Sequence, residues 1–318
     1  MASNEMYHDR KYFYKYVTPE TAFKIFHNCK LKYSSPVTFN DPFDVQTKVG
    51  YDFEMADMLK SIGDEIYRLL QDENDPVGDT TNHIFMGILK ARQNYKKGSR
   101  RIPKHVFDVL RKAGDESAAK QAEQYFENLN SWWRNFVKAS RVFCVAEEHD
   151  NLLMWAHYAK DHTGAVIKFK CLRELDTVLC IAGKVDYVEK PPVIANRDEY
   201  IKYITGQDTQ TINHDSLIYK QFLSKSNHWC YEKEWRVWKP PYNPANPVVP
   251  KDSKGKEILF YLEPFNPQEI HSIYFGCKMD DGDRKKIENE LSGDFRHVNK
   301  YLCHRNESEY KLDFELIS

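Results

Sequence analysis

The sequence predicts a mixed α+β protein whose sheet comes from about the first 50 and the last 180 residues, with a helical insertion at about 52–140. Three observations predict it. Short β-type runs cluster at both ends, "YFYKYV" and "KLKYSS" early, "RVFCVAEE", "GAVIKFK", "EIHSIYFG" and "YKLDFELI" late. The stretch between them repeats apolar residues at helical spacing. Aromatic residues make up 14% of the chain, with 20 Tyr and 18 Phe, a surplus that suits strand-rich cores and stacking surfaces alike.

Element by element, "YFYKYV" reads as a strand and "TPETAFKIF" as a helix, with Thr18 as N-cap, Pro19 at the first helical position and Glu20 in the first turn. "KLKYSS" is a second strand, and "PVTFNDPFD" a loop punctuated by Pro36 and Pro42. Helices follow at "DFEMADMLKSIGDEIYRLL", "HIFMGILKARQ", "HVFDVLRKA" and "AAKQAEQYFENLNSWWRNFVKAS". After the strand "RVFCVAEE" comes a short helix, "DNLLMWAHYAKD", capped by Asp150, and then the strand "GAVIKFK". "GKVDYVE" is a further strand, and helices are expected at about 197–205 and 215–225. "HWCYEKEWRVWK" (228–239) reads as a strand, followed by a Pro-rich connection, the strands "KEILFYLEP" and "EIHSIYFG", and the helix "DGDRKKIENELSG". "HVNKYLCH" and "YKLDFELI" close the chain, which is taken as a single α+β domain over 1–318 with no repeat at a fixed period.

Composition narrows the function classes. The 318 residues are 41% hydrophobic and 29% charged, a globular balance, and the net charge of −1 gives no global case for a nucleic-acid or membrane partner. Seven cysteines without a CxxC pair support neither a zinc knuckle nor a thioredoxin-like motif. No apolar run approaches 18 residues and the first residues lack a leader's apolar core, so a cytoplasmic protein is expected. GxGxxG, P-loop and GxSxG motifs are absent, which removes the usual support for Rossmann cofactors, Walker-type hydrolysis and the α/β-hydrolase triad.

Four stretches carry candidate chemistry. In "HWCYEKEWRVWK", strand alternation puts Tyr231, Trp235 and Val237 on one face and Glu232, Glu234, Arg236 and Trp238 on the other. That face is either a solvated charge ladder or the wall of a polar cleft. "SSPVTFNDPFD" crowds Ser34, Ser35, Asn40, Asp41 and Asp44 around two prolines, as an ordinary turn or as a grip on a ribose or phosphate. In "LLMWAHYAKDH", Leu152, Trp155 and Ala159 make a buried helical side, leaving His157 facing a pocket or serving as a satisfied structural imidazole. His157 and His162 are five apart, the wrong spacing for two ligands on one helical face, so no metal site is predicted. Finally, residues 90–112 carry nine Lys or Arg against one Asp, a solvated face or a weak nucleic-acid contact, which the upstream "QDENDP" would partly neutralise.

The series "YKYVT", "LKYSSPVTFNDPFD", "LLMWAHYAKDHTGAVIKF" and "HWCYEKEWRVWK" resembles a bacterial family known as domain of unknown function 2971. More distantly, the layout is similar to the ADP-ribosyltransferase superfamily, which implies a mixed or antiparallel sheet core and in which a late strand carries a Glu-x-Glu pair, the form taken here by Glu232-Lys233-Glu234. In place of the superfamily's usual first-strand His or Arg stand Lys15 and Tyr16, and Tyr158 lies on a helix, not on the strand where the superfamily carries its tyrosine. The resemblance implies an NAD-dependent ADP-ribosyltransferase or NAD glycohydrolase acting on a macromolecular target. NAD would be the substrate and the helical insertion would recognise the target. Glu234 would stabilise oxocarbenium-like charge on the ribose, and Glu232 would orient or deprotonate the acceptor. Tyr16 or Trp155 would stack on nicotinamide, Arg236 or Lys15 would meet the pyrophosphate, and Ser34 and Ser35 the nicotinamide ribose. Bacterial enzymes of this kind are commonly toxins or anti-phage effectors. Two alternatives stay open: a non-catalytic nucleotide- or partner-binding module on the same fold, and a metal-dependent nuclease using Asp41, Asp44, Glu232 and Glu234.

Overall fold

The computed structural model describes residues 8–74, 76–208 and 214–317. The first seven residues, part of the stretch that lacks an apolar leader core, fall outside them. Strand β1 is Tyr12–Val17, and helix α1, Pro19–Asn28, starts where Thr18 Oγ1 accepts the amide of Thr21. It ends at Cys29, whose φ of 48° reverses the chain into β2, Lys30–Ser34. Helices α2 (Met55–Gln71), α3 (His83–Lys96) and α4 (Lys104–Ala139) follow. The last absorbs two predicted helices into one, because nothing between residues 113 and 118 stops the helix.

After β3 (Arg141–Ala146), α5 spans Leu152–Tyr158 and β4 Ala165–Lys170. The cap of α5 is Asn151, not the expected Asp150: its Oδ1 accepts from the amides of Leu153 and Met154. The predicted strand "GKVDYVE" is two short ones, β5 (Gly183–Lys184) and β6 (Asp186–Val188), which pair in different sheets. Helices α6 (Arg197–Ile204) and α7 (His214–Phe222) lead into β7 (Ser224–Ser226), where helix was expected to continue. A 3₁₀ helix, Asn227–Glu232, then precedes β8 (Glu234–Lys239). The chain closes with β9 (Phe260–Pro264), β10 (Ile270–Phe275), α8 (Asp281–Glu290), β11 (Asn299–Arg305) and β12 (Leu312–Leu316).

The main sheet is mixed and mostly antiparallel. Its path runs β12-β11-β10-β4-β1-β3-β2-β9, with β8 also on β3 and β5 on β8. Among the described residues only β10 and β11 run parallel in it, and β6 and β7 form a separate parallel pair. One face buries Phe13, Phe143, Phe169, Trp235 and Ile273 beneath α1 and α8, which contribute Phe26 and Ile287. The other face packs Tyr16, Ala146, Val166 and Tyr274 against Met154 and Trp155 of α5.

The chain forms two compact units. The sheet unit gathers residues 1–47, 135–191 and 222–318, and the second unit gathers 48–134 with 192–221. Within the second unit, Leu69, Leu70 and Ile88 form a small core. Its buried Arg92 donates to the carbonyls of Leu69, Asp72 and Asn74 at the end of α2. Other cations of the basic stretch are engaged there too: Arg101 on the Gln71 carbonyl, Lys104 on Asp64 and Asp108, and Arg111 on Asp115. No described helix is long and apolar enough to cross a membrane.

Candidate functional site

The edge of β3 is shared between two strands. Ala146 pairs with Tyr14 of β1 and Val142 with Ser34 of β2, so β1 and β2 diverge around the middle of β3. In that gap the Cys144 carbonyl accepts the Lys15 ammonium at 2.6 Å. A cavity of about 490 Å³ opens here, walled by strand residues Tyr14, Tyr16, Lys32, Ser34 and Cys144. The loop after β2 adds Thr38, Phe39, Asn40 and Asp44, α5 adds His157 and Tyr158, and Lys225, Glu232 and Glu234 complete it.

Two side chains organise the deep end. Arg236, fully buried on β8, donates to both oxygens of Asp44 at 2.9 and 2.7 Å and to both oxygens of Glu234 at 2.9 and 3.0 Å. A fifth contact, to the Phe222 carbonyl at 3.0 Å, ties it to the end of α7. Such a bidentate fork is geometry that Lys cannot supply. Lys225, on β7, donates to Glu232 Oε2 and, at 3.1 Å, to Glu234 Oε2, with Asp44 at 3.6 Å. Its ammonium lies 5.0 Å from the ring centre of Trp229. Tyr158 donates to Glu232 Oε1 at 2.5 Å and accepts from Asn40 Nδ2 at 3.3 Å. Tyr187, beside Lys225 in the β6–β7 pair, accepts the Glu234 amide at 2.8 Å.

Three buried carboxylates thus face two buried cations, and two of the three, Asp44 and Glu232, have their pKa raised, each by burial first. At Glu232 the neighbouring Glu234 charge raises it further against the pull of Lys225. Glu234 is equally dry, and burial alone would raise it. Arg236 and Lys225 instead hold it well below the usual carboxylate range. Burial also pushes the Tyr158 phenol up, reinforced by the Glu232 charge, so Tyr158 stays a donor at neutral pH.

The cleft brings together Lys15, Tyr16, Ser34, Asn40, His157, Tyr158, Glu232 and Glu234 from the residues picked out of the sequence. Four others lie off its wall. Ser35 is fully buried and its hydroxyl donates to the Lys138 carbonyl at the end of α4. Asp41 accepts the Phe43 amide in a local turn, the bland role of such a residue. Trp155 is buried beneath the sheet with its indole N–H on the His149 carbonyl, so it offers no face for stacking. Arg236 is consumed by Asp44 and Glu234 and has no free edge for a pyrophosphate.

The predicted strand over 228–239 also needs correction. Glu232 ends the 3₁₀ helix and Lys233 takes φ 44°, so the two glutamates meet through a turn rather than a pleat. From Glu234 onward the alternation holds: Trp235 and Val237 enter the core while Glu234 and Arg236 face the cleft side. Tyr231 does not join them and packs near His157, whose Nδ1 lies 2.9 Å from its hydroxyl. Sequence reasoning missed Lys225 altogether, because "SKS" has no apolar periodicity to announce a strand. Among the described residues no group of three or more His, Cys, Asp or Glu is placed to hold a metal ion. The carboxylates of Asp44, Glu232 and Glu234 face Lys225 and Arg236 instead.

A family model described as Protein of unknown function (DUF2971) matches residues 154–237, the stretch that carries Tyr158, Lys225, Glu232, Glu234 and Arg236. The match leaves out "YKYVT" and "SSPVTFNDPFD", which the resemblance read from the sequence had included. No curated protein and no solved structure matches the chain, so the comparisons offer no ADP-ribosyltransferase relative.

Proposed function

We propose that the cleft binds NAD and that the protein cleaves its nicotinamide–ribose bond, passing ADP-ribose to a macromolecular acceptor or to water. One observation carries this reading: two buried carboxylates line one cleft with their pKa values pushed in opposite directions. Such divergence separates an electrostatic role from a proton-transfer role. Glu234, held ionised, supplies fixed negative charge near the ribose as the bonding pair leaves with the nicotinamide nitrogen and C1′ becomes electron-poor. Glu232, with its raised affinity for a proton, takes the proton that the attacking hydroxyl or water gives up. Tyr158 orients Glu232, and Lys15, Lys32 and Ser34, which line the same cleft, would meet the pyrophosphate and ribose. Tyr14 and Tyr16 also line the cleft.

The test is NAD labelled on the adenylate phosphate, incubated with the protein alone and with protein, RNA and DNA mixtures. Transfer of label, or release of free nicotinamide, is expected from the wild type and should fall by roughly 100-fold or more in Glu234→Gln and Glu232→Gln. No consumption of NAD by folded wild-type protein in any mixture would overturn the reading. A second reading, a non-catalytic nucleotide-binding module, draws on the ion pairs themselves: every carboxylate oxygen of both glutamates already accepts an internal donor. It predicts NAD binding without turnover.

A further inference from the structure

We infer that Lys225 is the positioning residue that fixes the carboxylate of Glu232 and sets how readily it holds a proton. The inference rests on the proposed role of Glu232 for its meaning in catalysis, but on the ion-pair geometry for its substance. Among the charged partners of the site, Arg236 meets both oxygens of Asp44 and both of Glu234, and makes no contact of its own with Glu232. Among the described residues, Glu232 meets the cation Lys225 on Oε2 and the neutral donor Tyr158 on Oε1. Asp44 and Glu234, anchored by Arg236, hold the Lys225 ammonium from the other side at 3.6 and 3.1 Å, with Trp229 beside it. Support therefore passes outward from Arg236 to Asp44 and Glu234, then to Lys225, and last to Glu232.

The titratable groups near Glu232 are Tyr158 from α5, Tyr187 from β6, Lys225 from β7, Tyr231 from its own 3₁₀ helix, and Glu234 across the Lys233 turn. Lys225 is the one among them whose charge favours ionised Glu232. An opposite charge at this range lowers a carboxyl pKa by about one to three units. Lys225→Met should therefore raise the titration of Glu232 by that amount, and Lys225→Arg should restore most of it.

The experiment follows the side-chain carboxyl ¹³C signal of Glu232 through a pH titration in wild type, Lys225→Met and Lys225→Arg, without NAD. An upward shift in the methionine variant, reversed in the arginine variant, supports the inference; an unshifted titration in folded Lys225→Met overturns it. Should Lys225→Met not fold, the reciprocal reading decides. In Glu232→Gln the ¹⁵N ammonium signal of Lys225 at neutral pH should shift and exchange its protons with water faster than in wild type, and an unmoved signal overturns the inference. Because the readout needs no NAD, a shifted titration in a protein that never consumes NAD would leave Lys225 in this role and remove the enzyme reading alone.

Discussion

Asp44 and Arg236 lie 192 positions apart in the chain, yet their bidentate pair holds the deep end of the cleft. Removing one partner of a buried pair leaves an uncompensated charge, which typically costs about 3–5 kcal/mol. Arg236→Met is accordingly expected to lose that much in urea unfolding, since it leaves Asp44, Glu232 and Glu234 to share Lys225. The two glutamates should also differ in how their stability contributions follow pH. The native state keeps the Glu232 proton to higher pH than the unfolded chain does. Its contribution is therefore full below the ordinary carboxylate range and is lost as pH rises through the raised native value. Glu234 has a lowered native value, so its contribution is present above the ordinary range and is lost as pH falls toward that value. Thermal melts between about pH 3 and pH 8 should show Glu232→Gln gaining on wild type as pH rises and Glu234→Gln falling behind. Parallel slopes for the two variants would contradict the assignment.

At the scale of elements, the turn at Lys233 decides whether the two glutamates share a partner. Lys233 holds φ 44° with its side chain exposed, a conformation that costs a non-glycine residue about 1–2 kcal/mol. Lys233→Gly should be neutral or raise stability by up to about 1 kcal/mol, even though it gives up a surface ion pair with Glu148. Lys233→Val should lower stability by a similar amount, read from denaturant midpoints. The junction between α5 and β4 is governed by packing instead. A Cβ at Gly164 would lie 2.1 Å from the Val17 carbonyl oxygen and 2.9 Å from that of Ala159. Gly164→Ala should therefore cost about 1–3 kcal/mol and disturb the placement of Tyr158, which α5 carries into the cleft.

The whole sheet is assembled from distant segments. Tyr12 pairs with Lys170 and Lys30 with Pro264, so strands at its centre and at its edge alike meet only after long loops have closed. The helices of the second unit form from local contacts, apart from the crossing of 192–221 to 48–134. Local contacts fold faster than non-local ones, by orders of magnitude at similar stability. Stopped-flow refolding should recover helical circular dichroism within about milliseconds, while the near-ultraviolet signal of buried Trp155 and Trp235 returns over about tens of milliseconds to seconds. Coincident single-phase recovery of both signals would contradict that order.

Local physics was legible wherever one stretch of chain carried it. Period-two and period-3.6 patterns marked the strands and most helices, Thr18 and Pro19 marked the start of α1, and a sheet drawn from both ends of the chain followed from where the β-type runs lie. The alternation from Glu234 to Val237 also separated the ion-pair face from the core face without any knowledge of partners. Tertiary structure alone decided which polar residues meet. Ser35 and Asp41 look like Ser34 and Asn40 in sequence, yet Ser35 is spent on the distant Lys138 carbonyl and Asp41 on its own turn, while the second pair lines the cleft. Lys225 gave no periodic signal, because three polar residues become a strand only when β6 lies alongside. The reason is common to all these cases: hydrophobic periodicity is a property of neighbours in sequence, whereas the charge of a buried carboxylate depends on cations brought to it by the fold.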